Sequence, residues 1–201
     1  MGTAKQAVEY AKSQIGVSSG RGYWKIVRGY ESDADWCAIF DSAILIKTHT
    51  NCVYFPNNFA FDRRDMSVIG DRWVDKYELQ EGDMVSFDFD GGGEYGGDHV
   101  GIVVKRYGRG DYQTVEGNCG KQVKTKHRTV SDDGIIGGIR PYYDPEVFTD
   151  VDSSTPHYAD IKWMKEKGIA KGYPDGSYRP FNALTRGDAA AFLHRLYNAL
   201  K

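Results

Sequence analysis

SDADWCAIFDSAILIK, residues 32–47, puts a cysteine directly after a tryptophan and at the head of an apolar run. Trp36, Phe40, Ala43, Ile44 and Leu45 recur at spacings that give a helix one buried stripe, so a core helix is expected over about 36–47. Asp33 or Asp35 stands where a helix cap belongs. Cys37 then has two readings. It is a small buried hydrophobe, the commoner role of a lone cysteine, or it is a nucleophile whose thiolate is stabilised by the helix N-terminus.

The sequence around this helix favours a mixed fold. MGTAKQAVEYAKSQIG reads as an amphipathic helix stopped at Gly16. After a loop-rich stretch to about residue 80 come short runs with strand alternation: DMVSFDF, HVGIVVKRY, DYQTVEG and GIIGGIRPYY, with Gly, Asp and Asn between them. Helices followed by strands predict an α+β domain with an antiparallel sheet. Near residue 144 the texture turns helical again, which predicts a domain over residues 1–143 and a small all-α module over 144–201.

Two of the strands carry groups that a nucleophilic cysteine needs. His99 opens HVGIVV, and alternation puts it on one face with Gly101 and Val103, where the small glycine leaves it room. In YQTVEGN, alternation points Thr114, Glu116 and Asn118 one way. Glu116 or Asn118 can accept a hydrogen bond from an imidazole and fix its tautomer, which completes a nucleophile–base–orienter set. Taken singly, His99 is more simply a satisfied histidine, and Gly117-Asn118 more simply a turn.

In the order Cys, His, Glu, Asn, on DWCAIF, GDMVSFD, DHVGIVV, VEGN and IGGIRPYY, the first 143 residues resemble the CHAP family of cysteine amidases and peptidases, relatives of the NlpC/P60 group with a papain-like fold. The resemblance implies cleavage of amide bonds in bacterial peptidoglycan. It makes Cys37 the nucleophile, His99 the base and later the acid, Glu116 the orienter and Asn118 a supporting polar group. The Cys37 N–H becomes an oxyanion donor. No cofactor is required. Some relatives hold a structural calcium, and Asp33, Asp35, Asp88 and Asp90 are the oxygen donors nearest the site in sequence, with Glu31, Glu94 and Asp98 beside them. Neither run fills an EF-hand template, and the acids before Cys37 do not follow the family's calcium spacing, so solvated loop charge is the simpler reading.

The C-terminal stretch reads as two helices around a turn. Thr155 is expected to cap the first helix, with Pro156 in its first position and Gly168 as its stop. In GYPDGSYRP, Pro174 fixes φ and Gly176 tolerates a positive φ. Thr185 and Asp188 have capping-box spacing ahead of a stripe of Phe192, Leu193, Leu196, Tyr197 and Leu200. FTDV, ADIKWMKEKGIAKGYPDGSYRP and LTRGDAAAFLHRL resemble one S-layer homology motif, with Arg-Gly-Asp where the family has Arg-Ala-Glu. That resemblance implies binding to a secondary polymer of the Gram-positive wall. Arg186 would pair with a ketal carboxylate, while Trp163 and Tyr173 would stack on sugars. Such motifs occur in threes, so a single copy predicts a homo-oligomer, most simply a trimer.

Composition bounds the rest. The chain has 201 residues, a net charge of −2 and no basic block, which argues against nucleic acid as a partner. Cys37, Cys52 and Cys119 are odd in number and lack CxxC spacing, so neither a disulfide framework nor a zinc site is indicated; Cys52 and Cys119 have no assigned role. Cys119 should face away from Asn118. No run is apolar enough to span a membrane, and the N-terminus lacks signal-peptide features. The expectation is therefore a bacteriophage-type endolysin, made in the host cytoplasm and acting on the wall after release. The alternatives are a host autolysin or wall-remodelling peptidase, and a non-catalytic wall-binding or S-layer-associated protein.

Overall fold

Thr3 opens the first helix, α1 (Ala4–Ser13), with a reciprocal cap. Its Oγ1 accepts from the Gln6 N–H at 3.2 Å, and Gln6 Oε1 accepts from the Thr3 N–H at 3.0 Å. The helix ends three residues before Gly16, which takes φ +95° in the turn that follows. The structure, a computed structural model, describes residues 2–50, 72–91, 97–143, 147–152 and 154–201. Cys52 and Glu94 lie outside the described residues. The chain divides into two compact units, Met1–Tyr143 and Asp144–Lys201.

In the first unit α1 is followed by α2 (Arg21–Arg28) and α3 (Cys37–Lys47). Among the described residues no side chain caps α2, and the helix stops at Gly29, whose φ of +82° a side chain would resist. Every residue of α3 from Cys37 to Leu45 is buried. Ile39, Phe40, Ile44 and Leu45 each contribute about 1.5–3 kcal/mol by leaving water.

Among the described residues the sheet has six strands: β1 (Trp73–Val74), β2 (Met84–Phe87), β3 (His99–Gly108), β4 (Asp111–Glu116), β5 (Lys124–Thr129) and β6 (Ile135–Ile139). Their spatial order is β1-β6-β2-β3-β4-β5 and every pairing is antiparallel. The unit is therefore α+β. Val100, Ile102 and Val104 of β3 pack with α1, α2 and α3 in one cluster. Val103, on the other face, joins Val85, Phe87, Tyr112 and Ile135 in a second. β5 was not apparent in the sequence. Its run, KTKHRT, is polar throughout and, among the described residues, pairs on one side only, with β4, so no apolar alternation marks it.

The second unit has its own core of Val147, Phe148, Val151, Ile161 and Ala170, with Tyr158, Met164, Tyr178 and Phe192 against it. Its regular elements among the described residues are α4 (Tyr158–Glu166), α5 (Arg186–Ala199) and a bridge between Phe148 and Val151. The start of α4 departs from expectation. Thr155 does not cap it; its hydroxyl accepts from the Asp152 N–H at 3.0 Å, and the cap position falls to His157 at φ +62°. Pro156 thus lies in a turn before the helix. Thr185 does cap α5, accepting from the Asp188 N–H at 3.1 Å. The Asp188 carboxylate takes the Thr185 hydroxyl at 2.6 Å, where a longer side chain would reach back to the backbone.

Candidate active site

Trp36 precedes Cys37 because it fixes the start of α3. It is buried, stacked on Tyr23 at 5.6 Å and edge-on to Phe40 at 6.5 Å. A Cβ on Gly20 would fall on its ring. No side chain among the described residues caps the helix. Asp33 and Asp35, the expected caps, are engaged elsewhere: Asp33 in a bidentate pair with Arg21, Asp35 as acceptor from Asn118 Nδ2 at 2.9 Å. Cys37 thus stands, buried, at an uncapped helix N-terminus, where the peptide dipoles favour an anion.

His99, the first residue of β3, hydrogen-bonds Cys37. Its Nε2 lies 3.1 Å from Glu116 Oε2, which leaves Nδ1 for the thiol. Phe87 and Phe89 flank the imidazole, each with ring centroids 5.8 Å away. Burial drives the imidazole down, but the hydrogen bonds and charges of Cys37 and Glu116 outweigh it and lift it from 6.5 to about 10. The ring therefore keeps its proton through neutral pH.

Glu116, at the end of β4, is fully buried and fully bonded. Oε1 accepts from Thr114 Oγ1 at 2.6 Å and Arg128 Nε at 2.8 Å; Oε2 accepts from Arg128 Nη2 at 2.8 Å and faces His99. Burial pushes this carboxyl up, and the bonds from Arg128, His99 and Thr114 pull it down to about 2. The structure thus brings Cys37, His99 and Glu116 together.

Asn118 is not part of that chain of bonds. The strand ends at Glu116, so alternation stops there and Asn118 sits in a turn at φ +56°. A Cβ on Gly117 would crowd the Phe40 ring, which holds the turn against α3. Through Asp35, Asn118 ties that turn to the segment before Cys37. Cys119 does not face away, for the same reason. It lines, with Phe89, Asp98, His99, Asn118 and Arg128, a pocket of about 270 Å³.

Two residues at the site were missed. Arg128 lies on the unrecognised strand β5. Asp41 follows Cys37 by one helical turn, is wholly buried, and neither oxygen has a hydrogen-bond partner among the described residues. A charged residue within CAIFDSAIL was the available signal. Burial raises its carboxyl well above the ordinary range; His99's charge lowers it and Glu116's raises it.

Of the proposed calcium donors, Asp33 and Asp35 are committed as described. Asp88 and Asp90 lie with Asp98, their nearest oxygens within 4.8 Å of one another. Asp98 accepts from the Phe89 and Asp90 N–H groups and Asp88 from that of Gly91, so the carboxylates organise their own loop.

In the second unit, a groove of about 410 Å³ is lined by Tyr173, Arg179, Leu184, Asp188, Phe192 and Arg195, among others. Arg179 lies over the Tyr173 ring at 4.1 Å. Of the three expected wall-polymer residues, only Tyr173 lines this groove. Trp163 is exposed on α4 and Arg186 is exposed at the head of α5.

No helix among the described residues is long and apolar enough to cross a membrane. A search of curated proteins returned no match. Among solved structures the chain is similar to NlpC1 from Trichomonas vaginalis, at 18% identity and a TM-score of 0.46. The match covers 70% of this chain and 45% of that one, so the chain spans less than half the neighbour's length. Residues 147–190 match the S-layer homology domain family, and the second unit thus carries a domain of the type that binds cell-wall polymer.

Proposed function

We propose that the chain is a peptidoglycan hydrolase of the endolysin type, in which Met1–Tyr143 cleaves a wall amide bond and the S-layer homology domain delivers it to the wall. The observation that carries this reading is His99, bonded on one side to a cysteine at an uncapped helix N-terminus and on the other to a buried carboxylate. A structural cysteine needs neither partner.

The Cys37 thiolate attacks the amide carbonyl carbon, and the carbonyl electrons move onto oxygen. The Cys37 N–H and the α3 dipole face that oxyanion. As the intermediate collapses, the C–N bond breaks and the amine leaves with the proton from His99. Neutral His99 then takes a proton from water, whose oxygen attacks the thioester. The C–S bond breaks, the acid departs, and thiolate and imidazolium are restored. Glu116 holds the ring in place throughout. The cycle uses only these side chains and water.

Near-neutral charge supports targeting by a specific module over general attraction to an anionic wall. The test is turbidity loss of Gram-positive walls with wild type and Cys37→Ala, with the released termini identified by mass spectrometry. Wild type clears the walls, Cys37→Ala binds without clearing, and the new termini name the bond. Binding without clearing by both proteins, across a broad panel of walls, sinks the catalytic reading and leaves a wall-binding protein.

A further inference from the structure

Glu116 has more partners than the orientation of a histidine requires. Of its four hydrogen bonds only one involves His99; Thr114 supplies one and Arg128 two. Arg128 is itself held firmly. Its Nη1 donates to Asp133 Oδ1 at 3.1 Å, and Asp133 is fixed by accepting the Thr129 N–H at 2.8 Å. The guanidinium lies 5.1 Å from both the Phe87 and Phe89 ring centroids, the same two rings that flank His99. Its side chain is 14% exposed and lines the pocket in front of the histidine. The simplest alternative is an ion pair that fastens β5 to β4. It does not account for a bidentate grip on the one carboxylate that His99 uses.

We propose that Arg128 is a positioning residue that sets the acid strength of His99 through Glu116. The inference rests on the catalytic reading of Cys37 and His99. A buried carboxylate beside an imidazole both orients the ring and holds a proton on it. The proton must leave for the amine in every turnover, so a bare carboxylate would make His99 a poor acid. The paired guanidinium offsets part of that charge while fixing both carboxylate oxygens. Glu116 then orients His99 while holding its proton less tightly than an unpaired carboxylate would. The titratable and charged groups around the ring are Cys37 and Asp41 from α3, Glu116 from β4, Arg128 from β5 with Asp133 behind it, and Asp98 and Cys119 at the pocket. Among the described residues Arg128 is the cation of this set, and its loss strengthens the hold on the proton.

The test needs no wall substrate. Cys37 of the full chain is alkylated with iodoacetate from pH 4 to 11 and quantified by peptide mapping, which separates it from Cys52 and Cys119. The reagent is an anion, so its rate falls when the imidazolium loses its charge, and the alkaline limb reports His99. Arg128→Gln is expected to move that limb upward by about one pH unit and to slow wall clearing about tenfold. In a Glu116→Gln background the same substitution should leave the limb where Glu116→Gln alone puts it. An unmoved limb, or an equal shift in both backgrounds, overturns the proposal. If His99→Gln leaves the alkylation profile unchanged, the Cys37–His99 reading falls and takes this proposal with it. Should Arg128→Gln fail to fold, Arg128→Lys carries the test. Lysine keeps the charge but cannot grip both oxygens, so the limb stays in place while wall clearing falls about tenfold; full clearing by Arg128→Lys overturns the positioning role.

Discussion

Gly101 lies directly beneath Glu116. A Cβ at position 101 would come within 2.6 Å of Glu116 Cγ and 3.1 Å of the Val115 carbonyl oxygen. The glycine sits two residues along β3 from His99, on the same face, so the bare backbone is what lets the buried carboxylate reach the imidazole. The backbone oxygen cannot yield, so an added methyl must push Glu116 off its hydrogen bonds to His99, Thr114 and Arg128. Gly101→Ala is expected to cost about 1–3 kcal/mol of stability and to cut wall clearing about 100-fold through misplacement of His99. Thermal unfolding and turbidity assays check both, and full clearing by a folded Gly101→Ala would show that Glu116 is not needed where it stands.

Asp41 supplies a pH signature. Burial holds its carboxyl protonated well above the range where the unfolded chain loses that proton. Between those two values the native chain binds more protons than the unfolded chain, so this group's contribution to stability falls as pH rises from about 4. Asp41→Val removes the buried orphan at nearly the same size. The variant should be more stable than wild type by about 1–3 kcal/mol near pH 8, with a smaller gain at pH 4. Denaturant melts at the two pH values measure the difference. A gain that does not change with pH would mean that Asp41 carries the same charge folded and unfolded.

How much of this site could be read from the sequence depended on which signals are local. Cys37 was legible because α3 is marked by its own apolar spacing, and His99 and Glu116 because alternation along β3 and β4 puts them on a shared face. Alternation failed at Asn118 and Cys119, where the chain leaves the strand at Gly117 and each following side chain is aimed by the turn. Arg128 was invisible for a different reason. Its partner is 12 residues away on another strand, and KTKHRT carries no apolar pattern to announce a strand. The helix caps erred because Asp33, Asp35 and Thr155 found partners outside their helices, which no spacing rule weighs.

Asp150 holds the second unit's turn in place. Its two carboxylate oxygens accept from the Tyr178 and Arg179 N–H groups, each at 2.7 Å. Those bonds set the chain that carries Arg179 over Tyr173 in the groove. Asp150→Ala leaves both donors without their acceptor, at a cost of about 1.5–3 kcal/mol for each bond to a charged group. Wall pull-down should fall sharply while alkylation of Cys37 by iodoacetate is unchanged. Undiminished pull-down would place the polymer site away from this groove.

Helix α5 has 14 residues and none is buried; it carries Leu193 and Tyr197 and is capped by Leu200, which are 66%, 60% and 75% exposed. Positions 193, 197 and 200 share one face, at spacings of four and three. A helix this short gains little from propensity and needs packing to persist. Phe181 and Leu184, also exposed, extend the apolar surface just before it. Association of identical chains through these faces would bury what one copy leaves open, and three copies would bring three S-layer homology domains together. Light scattering of wild type at micromolar concentration should therefore give a mass near three chains. Leu193→Glu with Leu200→Glu should give one chain, weaken wall pull-down through lost multivalency, and leave Cys37 alkylation intact. A monodisperse wild-type monomer would count against self-association and leave α5 for a different partner.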